Sequence, residues 1–289
     1  MRLGIAVDAK MCMACYCCFM ACKDEHCGYS SKLSAAQPMM GQKWIDVCEW
    51  ERSDSSRRVK TASVPSLCAH CEKPACMAAS KDGAVYKRPD GIVIIDPEKS
   101  KGQKDIATAC PMVFWNDELE IPQKCTMCAE LLDDPNYLKY LGNPELKKPR
   151  CVEACPNKAL YFGDIDDPNS EVSKFMASGQ RATPPHESME GDDSNVKWFN
   201  IPTVYLAGTV YQPKELDEVL VGAKVSLKCR ETGESWDTET NYFGDWEVEW
   251  LPKGKNIDIT IAASGYKTVT ASAFTDKDHY VDMTYMVKG

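Results

Sequence analysis

The chain has 289 residues, with 34 Lys and Arg against 43 Asp and Glu, a formal net charge of -9 and sixteen cysteines. That length suits two domains of ordinary size, and the acidic balance repels phosphate backbones, which excludes nucleic acid as a partner. No run approaches the roughly 18 to 20 apolar residues of a bilayer span, and the start Met1 to Lys10 lacks the apolar stretch and cleavage site of a signal peptide, so we expect no direct membrane insertion and a cytoplasmic protein.

Fifteen of the sixteen cysteines fall between Cys12 and Cys155, in tight clusters. In a reducing compartment such thiols are kept for metal rather than for disulfides. The first cluster, Cys12-Met-Ala-Cys15-Tyr-Cys17-Cys18-Phe-Met-Ala-Cys22, contains C-x-x-C-x-x-C-x-x-x-C. Three closely spaced thiolates wrap three irons of a cubane, and the fourth ligand comes from elsewhere; in two-cluster ferredoxins the last cysteine of each run serves the other cluster. A zinc ribbon needs only two C-x-x-C pairs and leaves the later cysteines of this run without purpose. Cys17 competes with Cys18 for one place, and the regular spacing favours Cys18.

Next in the chain, Cys68-Ala-His-Cys71-Glu-Lys-Pro-Ala-Cys76 supplies three ligands but has Ser80 where the fourth belongs. Gly91 to Asp96 then reads as a short apolar strand. The following run keeps only Cys110-Pro111, with Ser100, Gln103 and Ile106 at its other ligand positions. The last run is Cys125-Thr-Met-Cys128, a long insertion, and Cys151-Val-Glu-Ala-Cys155-Pro156, followed by a strand at Ala159 to Phe162. The insertion matters little, because loop-closure entropy grows slowly with length. Under the exchange rule one cluster takes Cys12, Cys15, Cys18 and Cys155, a second takes Cys125, Cys128, Cys151 and Cys22, and a third takes Cys68, Cys71, Cys76 and Cys110. Ser80, Ser100, Gln103 and Ile106 stand where one further cluster had its ligands. The losses therefore remove a single site whole, and three 4Fe-4S clusters are expected.

Of the other cysteines, Cys27 and Cys48 read as plain buried thiols and Cys229 as an inward-facing apolar residue. Lys124, beside Cys125, reads either as a charge that raises a cluster potential or as an ordinary surface lysine. His70 has no case as a ligand, and Trp44, Trp50 and Trp115 read as packing around the clusters. Backbone amides must offset the negative clusters by donating to sulfur.

From Asp167 to Gly179 the pattern is one helix, with Asn169 or Ser170 as its cap and Gly179 as a left-handed stop. Residues 180 to 195, rich in Pro, Ser, Gly and acid, read as a linker. Beyond Ile201 the period becomes two: Val225, Leu227 and Cys229; Trp246, Val248 and Trp250; Ile257, Ile259 and Ile261; Val281, Met283 and Tyr285. Short runs at regular spacing indicate an antiparallel sandwich, and Thr240-Asn-Tyr-Phe-Gly244 resembles the turn of carboxypeptidase-regulatory-like, transthyretin-type domains. The expected fold is α+β: a ferredoxin-like multi-cluster iron-sulfur domain over residues 1–200, then an all-β transthyretin-like or immunoglobulin-like sandwich over 201–289.

Four ferredoxin-like runs in this order, with the insertion in the last and Asp164-Ile-Asp-Asp-Pro-Asn-Ser-Glu171 after it, resemble the iron-sulfur subunits of the dimethyl-sulfoxide-reductase family of molybdenum and tungsten enzymes. The likeness covers residues 1 to about 180. It implies an electron-transfer subunit with no catalytic residue of its own, beside a large molybdopterin-binding catalytic subunit that holds a molybdenum or tungsten pterin. It also implies that the cluster built on the leading cysteines lies nearest that metal and that the missing cluster is the distal one.

Within the family, the loss of that cluster together with the C-terminal domain is most similar to the transhydroxylase branch. So are Asp24-Glu-His26, Gly83 to Tyr86, Asp90 to Val93, Lys124 to Ala129 and Leu131 to Asp134. This implies a soluble heterodimer acting on polyhydroxylated aromatics. The alternatives are the electron-delivering subunit of a reductive catechol dehydroxylase, a freestanding polyferredoxin carrier and a zinc-stabilised interaction module.

Overall fold

The computed structural model describes residues 1–52, 59–136, 147–179, 181–182, 194–213 and 218–289. Most of the expected linker, and residues 137–146 of the insertion, lie outside these. The chain divides into two compact units, Met1–Glu49 with Ser63–Ile201, and Trp50–Ala62 with Pro202–Gly289. Strands dominate; among the described residues the helices are short, and none is long and apolar enough to cross a membrane.

The first unit is organised on strand Leu3–Asp8, which pairs antiparallel with Leu160–Asp164 and parallel with Val196–Phe199. Its near-continuous apolar run follows from burial on both faces. Ile5 and Val7 face a core that also contains Trp198, Cys18, Cys22, Cys68 and Cys151, so this sheet floors the cysteine loops. Ala6, with Val172 and Phe199, faces the helix Glu171–Ser178. Phe175 of that helix stacks on Tyr161 at 4.2 Å and meets Phe199 edge-on at 5.3 Å. The expected apolar strand near Ile92 is Val93–Ile95, which forms a hairpin with Val85–Lys87. A second hairpin joins Phe114–Asn116 to Ile121–Gln123.

Ser170 caps the helix, its side chain accepting from the Ser173 N–H. Gly179 does not take the expected left-handed conformation: its φ is -77°. Glycine is required there by space, because a Cβ would lie 2.9 Å from Phe199 Cδ1 and 3.2 Å from the Phe175 carbonyl. Gly179→Ala is therefore expected to overpack the joint and cost about 1–3 kcal/mol, read as a lowered urea midpoint of the whole chain.

In the second unit, Val204–Tyr211 lies between Asp245–Leu251 and His279–Tyr285, and a four-stranded sheet runs in the order Ser235–Glu239, Lys224–Cys229, Asn256–Ala262, Val269–Phe274. Residues of both sheets share one core, in which Val225, Leu227, Cys229, Ile257, Ile259 and Ile261 are buried as their alternation predicts. Two expected runs break at register shifts. Between Val204 and Leu206 the ladder slips, Trp250 takes a φ of 65°, and Leu251 rather than Trp250 enters the core. Between Gly208 and Val210 a second shift leaves Met283 and Tyr285 each 38% exposed and buries Met286. A one-residue slip exchanges the faces of a strand, so strict period two fails beyond each bulge.

Residues 50–52 and 59–62, upstream of the boundary read from the sequence, also belong to this unit. Arg52 donates from Nε and Nη2 to the two oxygens of Asp278 at 3.0 and 2.8 Å, and also to the Thr203 carbonyl. Asp278 accepts in addition from the Tyr205 N–H at 3.0 Å, and the two side chains are only 7% and 8% exposed. Lys60 pairs with Glu247 and Glu249.

Candidate metal centre

The loop before helix Cys17–His26 turns through two left-handed residues, Ala14 (φ 53°) and Tyr16 (φ 57°), and the helix starts without a side-chain cap. Such a loop curls its cysteines around a common centre and leaves backbone N–H groups aimed inward. The same device recurs at His70 (φ 47°), between Cys68 and Cys71, and at Met127 and Cys128 (φ 55° and 52°). Amides accompany the sulfurs. Met127 N–H donates to Cys125 Sγ at 3.3 Å and Ala159 N–H to Cys155 Sγ at 3.2 Å, and the amides of Ala14 and Met112 reach Cys12 and Cys110.

The thiols act on one another in three groups. Cys12, Cys15, Cys18 and Cys155 line one small pocket with Tyr16 and Val47. Burial pushes the Cys18 thiol up to about 12, with Cys12, Cys155 and Cys15 adding to the rise. Cys22, Cys128 and Cys151 are each pushed well above the ordinary value, first by burial and then by thiols drawn from Cys22, Cys125, Cys128 and Cys151. Cys76 is pushed up to about 12 by burial, with contributions from Cys68, Cys110 and Cys71; Cys71 and Cys110 are also raised, again chiefly by burial. The groups are neighbours in a row. Cys18 reaches Cys22 and Cys151, and Cys68 reaches Cys125. Thiols so placed stay protonated unless a cationic centre joins them, which is what a group of irons supplies.

Two further observations fit such a group. Lys124 is 3% exposed, not a surface lysine, and donates to the Val93 and Cys125 carbonyls; among the described residues it has no carboxylate partner. Its charge opposes the rise at Cys71, Cys76, Cys110 and Cys125, so thiolates at these positions, once joined to a metal, would balance a buried ammonium. His70 accepts at Nδ1 from the Val93 N–H at 3.0 Å, which puts its proton on Nε2, a buried atom without a partner among the described residues. Burial, with the charges of Lys124 and Lys87, holds this ring neutral, far below its ordinary value. A sulfur-rich acceptor suits the orphaned donor.

Of the four positions without cysteine, one is packed in a core and the others are polar side chains in differing surroundings. Ile106 is fully buried with Cys76, Val85, Val93, Ile95 and Val113. The Gln103 carboxamide accepts from Lys81 N–H and donates to the Lys99 carbonyl, each at 2.8 Å. Ser80 donates to the Met77 carbonyl, and Ser100 is buried with its hydroxyl lacking a partner among the described residues.

The remaining cysteines lie apart in role. Cys17 is exposed, and Cys27 and Cys48 are half-buried rather than core thiols; Cys27 faces the Pro38 carbonyl at 3.6 Å. Trp44 packs in the core beside the cysteines, whereas Trp50 is substantially exposed and Trp115 lies under Lys104. Reading by spacing alone misses His26 as a functional residue. Its ring is buried, with Nε2 3.6 Å from Cys128 Sγ and Nδ1 3.1 Å from Glu130 Oε1. Burial pushes the Glu130 carboxyl up, but its hydrogen bond to His26 and the charge there outweigh this and hold it below the usual carboxylate range. The signal was present: His26 lies four residues after Cys22 on one helix, hence on the same face.

The profile of the 4Fe-4S dicluster domain matches residues 59–165. The pyrogallol hydroxytransferase small subunit of Pelobacter acidigallici is 32% identical over 98% of this chain and 97% of its own length. A sulfite dehydrogenase subunit of Allochromatium vinosum is 33% identical over 60% of this chain and 72% of its own. A tetrathionate reductase subunit of Salmonella typhimurium is 25% identical over 71% of this chain and 75% of its own.

Proposed function

The chain belongs to the iron-sulfur subunits of the dimethyl-sulfoxide-reductase family of molybdenum enzymes, and from that premise we propose that it holds three 4Fe-4S clusters and conducts electrons within a complex whose catalytic metal sits in a larger partner. The proposed ligand sets are Cys12, Cys15, Cys18 and Cys155; Cys22, Cys125, Cys128 and Cys151; and Cys68, Cys71, Cys76 and Cys110. The observation that supports this reading most directly is the pocket that Cys12, Cys15, Cys18 and Cys155 line together, and the mutual charge effects of the thiols in the other two sets and the packed core at Ile106 fit it. Bound there, such clusters supply one-electron redox chemistry. The chain's own work is to bury most of the sulfurs, with Cys15 left exposed, to direct amides at them, and to place Lys124 beside Cys71, Cys76, Cys110 and Cys125, where a positive charge favours the reduced state.

The relative named for pyrogallol hydroxytransfer matches along nearly the whole of both chains, and this supports a polyhydroxylated aromatic as the substrate of the partner, with a molybdenum or tungsten pterin there. We read residues 202–289 as a transthyretin-like sandwich without chemistry of its own, and the thiol load as fitting a cytoplasmic complex. Iron, acid-labile sulfide, molybdenum and tungsten, assayed on anaerobically purified complex, test the reading. About twelve irons and twelve sulfides per chain are expected, with one pterin metal per complex. About eight irons would remove the group of Cys68 to Cys110, and about sixteen would contradict the packed fourth position.

A further inference from the structure

We propose that His26 is a redox-tuning residue for the cluster assigned to Cys22, Cys125, Cys128 and Cys151, its Nε2–H donating to the Cys128 sulfur and so favouring the reduced state of that cluster. The inference rests on the ligand sets proposed above. It starts from the helix Cys17–His26, whose last turn carries the ring on the face of Cys22. The ring is buried and held from three sides. Nε2 lies 3.6 Å from Cys128 Sγ, within reach of the larger sulfur atom, and Nδ1 lies 3.1 Å from Glu130 Oε1. Trp44 packs at 4.8 Å with a tilt of 44°, and is itself fixed by its Nε1–H donating to Gln42 Oε1 at 2.9 Å. Thr126 donates to the same Glu130 oxygen at 3.2 Å, so the carboxylate that sets the ring is also set.

The donor inventory gives the direction of the effect. A sulfur bound to iron as thiolate only accepts, and so does a carboxylate. With a thiolate at Cys128, Nε2 is therefore the donor of that pair. Reduction adds one electron to the cluster; no bond breaks, and the proton stays on His26. The added negative charge strengthens an N–H···S bond to the ligand sulfur, and hydrogen bonds to sulfur are among the levers that set cluster potentials. Buried charge-assisted bonds of this kind are the strong ones.

The test is an EPR-monitored redox titration of the intact complex carrying His26→Leu or His26→Gln. In His26→Leu one of three midpoint potentials is expected to fall while the other two hold, and the donating amide of His26→Gln is expected to recover part of the shift. A residue that merely packs would leave all three potentials in place, and that result at full iron content overturns the proposal. Should His26→Leu lose iron, pulsed EPR of native complex grown on 15N-histidine decides. A nitrogen coupling on the reduced cluster, absent from labelled His26→Gln, supports the bond, and the lack of any such difference overturns it. Iron analysis of the native complex separates the two levels: without a cluster on Cys128 the ligand assignment and this inference fall together, whereas with it only the inference is at stake.

Discussion

Lys124→Met is expected to lower the midpoint potential of the cluster assigned to Cys68, Cys71, Cys76 and Cys110 by on the order of 100 mV, with iron content retained. Methionine keeps much of the length of the side chain and removes its charge. Lys124 is buried, its ammonium donates to the Val93 and Cys125 carbonyls, and its charge is felt at Cys71, Cys76 and Cys110. Two unit charges about 4 Å apart interact by about 4 kcal/mol at an effective dielectric constant near 20. Losing about 2–3 kcal/mol of stabilisation of the reduced state corresponds to roughly 100 mV for a one-electron couple. The same substitution removes a charge that is costly to bury when the thiols are protonated, so the iron-free chain is expected to become more stable. The opposite signs of the two effects identify the cause. An unchanged potential would show that the carbonyls alone account for the buried ammonium.

Asp278→Ala is expected to destabilise the second unit by about 3–5 kcal/mol, because it leaves Arg52 buried and unpaired. Arg52 loses both carboxylate bonds and the Tyr205 N–H loses its acceptor. Side chains 7% and 8% exposed place this pair outside the class of solvated ion pairs whose loss is barely measurable. The double variant Arg52→Met, Asp278→Leu is expected to be more stable than Asp278→Ala, since it removes both charges rather than one. Urea unfolding followed by the near-ultraviolet signal of the buried Trp246 region reads both variants. A double variant no better than the single would mean that packing, not uncompensated charge, sets the cost.

Much of the layout was legible because cluster chemistry constrains spacing tightly: the proximity of Cys155 to Cys12, and of Cys22 to Cys128, follows from the runs themselves. What spacing does not carry is burial. Lys124 reads equally as a surface lysine until the fold encloses it, and His26 reads as an ordinary polar residue until Cys128 is brought to its ring. In the strands, alternation identified the inward faces of Val225 to Cys229 and Ile257 to Ile261, but it assumes an unbroken ladder and so misplaced Trp250, Met283 and Tyr285 beyond the bulges. Gly179 shows a similar limit: glycine after a helix signals either a left-handed turn or a close approach, and only the neighbouring Phe199 distinguishes them. Arg52 and Lys60 tie their segment to Asp278, Glu247 and Glu249 of the second unit, 187 to 226 positions away, a separation at which local pattern is silent.

The pairing of strand Leu3–Asp8 has a consequence for biosynthesis. Its partners are Leu160–Asp164 and Val196–Phe199, and all twelve proposed ligands lie in the chain between Asp8 and Leu160. At roughly 5–20 residues per second of synthesis, the first strand waits about 8–30 seconds for any sheet partner and longer for the parallel one. During that interval the cysteine runs emerge without the floor that later buries them; the set of Cys68 to Cys110 is complete for part of it, whereas the sets that need Cys151 and Cys155 are completed only as Leu160–Asp164 follows.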